Sequence, residues 1–484
     1  MYWLAMHSES HMSTPELVTA AASAPAASAI DRSAAIPLAD WASLALRAGR
    51  VGPNLPNMGW VVRFPDEIPR EELEAEARRL AATPYGFGRR IAPPRLPAAR
   101  PRWVPAPEPP PIVLAEAPAV GSAALAAWLD RQLGVPHDPE LDAGWRLAAT
   151  PVDDGGTVVI ILCHHLFGTA HGVLRALYGD EGNPTLGTTE TPFTSESRFT
   201  TCDEARGIGE RIRLGLRGLA QLPDELSSAL RDRGDDTPAS DPAPLKRPRG
   251  RDRSRRPSSG LRVLALASMP AAGWDDAAAQ RGGTGNTLLA AVTANLLRSA
   301  RIARGGPVRR TLRLSLPIDL RDRDIAMGTA ASGPAGRLTT AAVLLPGGPP
   351  VHGDLRDVRA RMKAAFRADT GTAPLVRGAG DAARLLPEPV TFRFAAHAAT
   401  SFDGCASNVG AVPEGMLRIG SHQASDGAML GYPIGNEALI ALSRYRGRLT
   451  IAVITDPDRL GPAADLRAWL AEELAGWGLT DAVW

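Results

Sequence analysis

Cysteine is scarce in this 484-residue chain, where Cys163, Cys202 and Cys405 are the only three. An odd number without metal-ligand spacing argues against a disulfide framework and fits a reducing compartment. Net charge is only +2, and the basic residues are almost all Arg. Overall charge therefore gives no reason to expect a nucleic-acid partner. The longest apolar runs are strand-sized and fall short of the ~20 residues that span a bilayer. The opening residues, MYWLAMHSESHMSTPEL, lack a basic stretch followed by an apolar one. A secretory signal is therefore not expected, and the expected location is cytoplasmic, with peripheral membrane association left open.

Several motifs are also missing. Gly282, Gly283 and Gly285 are not followed by Lys-Ser/Thr, so they do not make a phosphate-binding P-loop; the bland reading is a turn and N-cap feeding a helix over Thr287–Ala300. No G-x-S-x-G elbow is present, which excludes the usual serine hydrolase arrangement. No Glu or Cys stands at zinc-ligand spacing from His164, His165 and His171, so no metal is expected. Cys405, with His397 nearby in sequence, has no activating context and reads as a packed residue in a turn.

The length exceeds what one hydrophobic core usually organises, so two domains or two similar halves are expected. Residues 1–35 are rich in Ala, Ser and Thr without periodicity and read as a disordered leader. A first half then spans 36–231. Residues 232–259 are Pro, Arg, Asp and Ser with almost nothing apolar, and read as a disordered linker whose run KRPRGRDRSRR is taken as solvated. The second half spans 260–484. Strands and helices alternate throughout. In the first half, a short helix at 37–46, a strand at 59–64 and a helix at 70–81 precede a proline-rich connection over 93–111. After it come a helix at 122–133 and a strand pair, 145–148 with 157–163, turning at Asp153-Asp154-Gly155-Gly156. In the second half, strands are expected at 261–268, 311–316 and 337–345, with a hairpin at 438–445 and 449–455. Helices are expected at 355–367 and 462–477.

Residues 206–222 place Ile208, Ile212, Leu216 and Leu219 at helical spacing among Arg211, Arg213 and Arg217. Such a helix can lie on an anionic membrane, but the expectation is that its apolar stripe packs on the domain.

The most informative run is Thr157–Leu177, TVVIILCHHLFGTAHGVLRAL. Val158–Cys163 is apolar without polar alternation, as in a strand buried on both faces, and it ends in two histidines. Successive strand residues point to opposite faces, so His164 and His165 cannot share one cavity while the strand persists. One of them should be structural. The other, at a strand end, suits general-base work on a hydroxyl, amine or thiol, because imidazole titrates near neutrality.

Placed together, these pieces resemble the condensation-domain and chloramphenicol-acetyltransferase-like superfamily, most closely its bacterial wax ester synthase/diacylglycerol acyltransferase branch. The resemblance covers nearly the whole chain after about Pro37. His164-His165 match the opening of an HHxxxDG signature, and Trp145–Ala148 stands where the family has a Trp-containing strand. Gly283-Thr284-Gly285-Asn286 opens a matching helix, and Pro317-Ile318-Asp319-Leu320-Arg321 is similar to a P-V-x-L-R segment. Ser407-Asn408-Val409 with Pro413 resembles S-N-V-P-G-P, and Ser443–Leu449 resembles an S-Y-x-G-x-L hairpin.

The resemblance implies a mixed α/β fold in which two chloramphenicol-acetyltransferase-like halves form a V around a central tunnel. It implies an acyltransferase carrying an acyl group from a CoA or carrier-protein thioester to an alcohol or amine. His165 would be its catalytic general base and His164 its structural neighbour. No cofactor beyond the thioester substrate is implied. The implied partners are the thioester donor, a carrier protein where the donor is protein-bound, and a small-molecule or lipid acceptor, with membrane or lipid-droplet contact for the neutral-lipid version. A natural-product ester- or amide-forming enzyme and a catalytically silent binding protein of the same fold remain open alternatives. Asn286, Ser407 and Asn408 are candidate tunnel-lining groups, or else turn and cap residues. The signature departs from the family at Thr169 and Ala170, where Asp and Gly are usual. Where Arg321 occupies the family's Arg position, the resemblance implies that it lacks the Asp partner, with Asp319, Asp322 and Asp324 near it in sequence; the alternative is a one-residue deletion that brings His171-Gly172 into the motif. Thr287 and Thr329 likewise stand at positions where the family often has Asp and Asn.

Overall fold

The computed structural model describes residues 57–81, 87–96, 99–105, 110, 112–115, 121–135, 137–140, 143–167, 200–235, 262–305, 310–319, 338–368, 385, 402–431 and 436–480. All of them lie in one compact unit, Ser33–Trp484. The expected leader, the helix at 37–46 and the linker beyond Asp235 fall outside the described residues.

The chain begins with β1 (Asn57–Phe64) and α1 (Arg70–Ala81). Helix α1 carries Glu71 and Glu72 in its first turn and Arg78 and Arg79 in its last, so its charges oppose its dipole. The proline-rich stretch expected to be a plain connection over 93–111 instead contains a short strand, β3 (Arg102–Pro105), which pairs antiparallel with β2 (Arg89–Ala92) just before it. Next come β4 (Val113–Leu114), α2 (Gly121–Leu133), β5 (Trp145–Pro151) and β6 (Thr157–His164). All eight residues of β6 are buried, as its unbroken apolar run requires. A single 3-10 turn, His165–Phe167, follows it.

Helix α3 (Thr201–Asp235) then leads towards the second half. Its orientation overturns the expected packing. Glu204, Gly215 and Gly218 are buried, whereas Ile212, Leu216 and Leu219 are 49%, 56% and 48% exposed. Glu204 accounts for the choice. It accepts the backbone N–H groups of Arg95 and Leu96 and pairs with Arg102 at 2.8 Å, which fixes the face of α3 that meets the body.

The second half runs through β7 (Val263–Pro270), α4 (Ala271–Gln280), α5 (Gly285–Ala303), β8 (Thr311–Asp319), β9 (Leu338–Pro346) and α6 (Arg356–Ala368). It continues with β10 (Gly404–Ala411), β11 (Arg418–Ile419), β12 (His422–Gln423), β13 (Asp426–Leu430), β14 (Ala438–Tyr445) and β15 (Arg448–Thr455), and ends with α7 (Pro457–Leu460) and α8 (Ala463–Gly476). Arg446 and Gly447 both have positive φ, 46° and 73°, the backbone of a two-residue hairpin turn between β14 and β15.

Two sheets organise these elements into a mixed α/β fold. One has the order β13-β1-β6-β5-β4 and the other β7-β15-β14-β10-β8-β9. Strand β13 comes late in the chain yet pairs antiparallel with β1, so the first sheet is completed by the second half. Asp426 holds this crossing. Its carboxylate accepts the hydroxyls of Ser268 and Thr450, Nε of Arg448 at 3.1 Å and the N–H of Gly427 at 2.8 Å. A second tie runs through Asp130 of α2, which accepts the N–H of Leu264 and a guanidinium N–H of Arg467, both at 2.7 Å. Among the described residues, no helix is long and apolar enough to cross a membrane.

Candidate active site

Strand pairing decides where the two histidines point. His164 lies opposite Asn57, Cys163 opposite Met58 and Trp145, and Leu162 opposite Arg146. Alternation therefore puts Asn57, Arg146, Leu162 and His164 on one face of the sheet, with Met58, Trp145 and Cys163 on the other. His164 is fully buried, and its backbone N–H donates to Gly144 O at 2.8 Å. Its Nδ1 accepts the N–H of Leu166 at 3.1 Å. The ring proton must then sit on Nε2, which is buried without a hydrogen-bond partner. Burial, reinforced by the neighbouring His165 and His137, pulls the His164 pKa down to about 3. His164 is thus a buried, neutral residue whose ring accepts a hydrogen bond from the turn after β6.

His165 starts the 3-10 turn and leaves the strand alternation there. The residue is partly exposed, with Nδ1 buried. Burial shifts its pKa below the usual imidazole value, so the neutral form, the one able to accept a proton, is favoured at physiological pH.

The turn carrying His165 rests on an aromatic cluster. Phe167 stacks on Phe87 with ring centroids 5.8 Å apart and meets Trp103 at 5.2 Å. Phe87 in turn meets Trp145 edge-on at 5.0 Å, and its carbonyl accepts Trp145 Nε1–H at 2.8 Å. Such contacts fix ring positions and so the backbone between them. Phe87 and Trp103 border or occupy the stretch read from sequence as a plain connection. Their aromatic character was the one signal available there.

A second set of residues surrounds His164, and sequence reasoning missed it. His137 is buried, its Nε2 has no hydrogen-bond partner, and burial with the nearby Arg146 charge lowers its pKa to about 3. Arg146 donates to Gln132 Oε1 at 2.6 Å, and Asn57 Nδ2 donates to Val135 O at 2.9 Å. None of these residues forms a local motif. Only the β1–β6–β5 register and the end of α2 assemble them.

The other predicted residues belong to the second sheet and its helices. Asn286, in the first turn of α5, accepts a hydrogen bond from Asn408 Nδ2 of β10, while Asn408 Oδ1 accepts the N–H of Gly410 at 2.8 Å. The β10–β14 register shifts between Asn408 and Gly410, so Asn408 both braces that bulge and ties it to α5. Ser407, half-buried, lies opposite Ala441. Thr287, a signature departure, has a clear local task. Its Oγ1 accepts the N–H of Thr284 at 2.6 Å while the Thr284 side chain accepts the N–H of Thr287, closing a capping box at the start of α5. Cys405 is buried as expected, but within strand β10 rather than in a turn, and burial pushes its thiol up to about 11. Thr169, Ala170, His171, Arg321, Asp322, Asp324, Thr329 and His397 lie outside the described residues. Among the described residues, no cluster of three or more His, Cys, Asp or Glu could hold a metal ion.

Comparison with solved structures gives the fold an independent footing. The chain is similar to the wax ester synthase/diacylglycerol acyltransferase from Marinobacter aquaeolei VT8, with a TM-score of 0.55, 14% identity, and coverage of 92% of this chain and 99% of that one. It is similar to the condensation domain of the monacolin K polyketide synthase MokA, with a TM-score of 0.52, 13% identity, and coverage of 93% and 97%. It is also similar to the first condensation domain of the calcium-dependent antibiotic synthetase, solved with a substrate analogue, with a TM-score of 0.53, 14% identity, and coverage of 93% and 97%. No protein-family model matches the chain. No curated protein matches it in sequence. The chain has the chloramphenicol-acetyltransferase-like fold that these proteins share.

Proposed function

We propose that the protein is an acyltransferase that uses His165 as general base to move an acyl group from a CoA or carrier-protein thioester to an alcohol or amine. The observation carrying this reading is the state of the histidine pair within this fold. His164 is buried, neutral and engaged with its own turn, while His165 is partly exposed, set beyond the strand end and shifted towards the neutral form. A neutral imidazole there would take the proton of the acceptor hydroxyl or amine as its oxygen or nitrogen attacks the thioester carbonyl. The carbon–sulfur bond then breaks, and the proton passes to the leaving thiolate. The chemistry needs no metal or redox group. Similarity to a wax ester synthase/diacylglycerol acyltransferase across 92% of the chain supports a long-chain alcohol or diacylglycerol as the acceptor to test first.

The test is to incubate purified protein with radiolabelled palmitoyl-CoA and hexadecanol or diacylglycerol, beside a His165→Ala variant. Removal of a general base is expected to lower turnover by roughly 10²–10⁴-fold. Wild-type protein that forms no ester and consumes no thioester with acyl-CoA or acyl-carrier-protein donors would sink the catalytic reading. A variant as active as wild type would sink the assignment of His165.

A further inference from the structure

The exposed aliphatic stripe of α3 has no role in the acyl-transfer reading. Its geometry can be laid out around the helix axis at ~100° per residue. With Ile212 as origin, Leu216 and Leu219 fall within roughly 40° of it, so the three line one narrow stripe. The buried residues Glu204, Gly215 and Gly218 fall at roughly −60° to −120°, and Arg206, Arg213 and Arg217 at roughly +100° to +140°. All three arginines are exposed. Around the circumference the order is thus protein body, aliphatic stripe, cationic flank.

Two attachments hold the body-facing side. Glu204 binds the backbone N–H groups of Arg95 and Leu96, and the Leu385 side chain lies against Gly215, where an added Cβ would come within 2.4 Å of it. The small residues are therefore spent on close packing, and the large aliphatic ones are left facing outward. By helical position Glu210, paired with Arg213 at 2.7 Å, and Asp203 stand on this side of the helix beside three arginines, so the flank keeps a net positive charge.

We infer that α3 docks the protein on an anionic lipid surface. Ile212, Leu216 and Leu219 enter the acyl-chain boundary while Arg206, Arg213 and Arg217 reach the headgroup phosphates. Stripe and cationic flank lie side by side on the outward half of the helix, the arrangement an interfacial helix needs. Charge complementarity selects an anionic surface over a neutral one. A second copy of the chain fits less well, since three half-exposed side chains fall well short of the ~800 Å² per partner of a stable protein interface. This inference stands independently of the acyl-transfer reading.

Co-sedimentation of the full chain with phosphatidylcholine vesicles, with and without about a third phosphatidylglycerol, tests it. The wild type is expected to bind the anionic vesicles at least ten-fold more tightly than the neutral ones, with affinity falling as salt rises. A triple Ile212→Ser, Leu216→Ser, Leu219→Ser variant should lose at least ten-fold. Arg213→Gln with Arg217→Gln should lose a comparable factor and flatten the salt dependence. Leu344→Ser, at a leucine 51% exposed on β9, should change nothing. Equal binding to both vesicle types, or full binding by the triple-serine variant, overturns the proposal. So does a concentration-dependent dimer in light scattering that the triple-serine variant abolishes while the wild type ignores vesicles.

Discussion

Acid should destabilise this protein well before its carboxylates titrate, and His137 with His164 should be the cause. Both imidazoles are buried and neutral, with pKa values of about 3 in the folded chain against 6.5 in the unfolded one. Below pH 6.5 the unfolded state binds a proton at each site that the folded state refuses. Unfolding therefore takes up protons there, and stability rises with pH up to about 6.5 and is lost as pH falls below it. Linkage gives ~1.4 kcal/mol per pH unit per histidine in that window. Between about pH 7 and pH 5 each histidine should cost ~2 kcal/mol, and the pair ~4 kcal/mol. A His137→Gln variant keeps a polar side chain of similar reach but removes one titration. Urea unfolding of both proteins at closely spaced pH values should show the variant losing ~2 kcal/mol less than wild type over that interval. Glu473 is held above the usual carboxylate range by burial and works in the opposite sense, but it is common to both proteins and cancels in the difference. If wild type and variant lose stability in parallel, the buried neutral state assigned to His137 is wrong.

The same sign argument applies to activity. With the His165 pKa lowered by burial, the limb of kcat/KM governed by the base should have its midpoint below pH 6.5, so a pH–rate profile still rising above neutrality would contradict the geometry. At the crossing of the sheets, Asp426→Ala strands the buried hydroxyls of Ser268 and Thr450 and should cost ~3–5 kcal/mol. Asp426→Asn keeps one acceptor oxygen for Thr450 and Gly427 but turns its amide NH2 toward the Ser268 hydroxyl and Arg448, so it should cost less than the alanine change, ~1–3 kcal/mol. Denaturation midpoints that fail to separate the two variants would show that Asp426 does not hold β13.

Local sequence signals determined a good deal. The uninterrupted apolar run of β6, the charge-capped helix α1, the Arg446-Gly447 hairpin and the placement of a histidine pair at a strand end each follow from chemistry confined to a few neighbouring residues. The strand ends at His164, so the alternation that would set the two rings on opposite faces does not reach His165; what sets them apart is the 3-10 turn, whose Leu166 N–H donates to His164 Nδ1. Other features depended on partners distant in sequence. Nothing local marks residues 426–430 as the edge of the first sheet, because their pairing with β1 is stabilised by Ser268, Arg448 and Thr450. His137 and Asn57 join the surroundings of His164 only through strand register and the end of α2. The face that α3 turns outward was equally unreadable, since periodicity gives the stripe but not its direction. That direction was set by a buried carboxylate, Glu204, finding backbone N–H groups more than a hundred residues upstream.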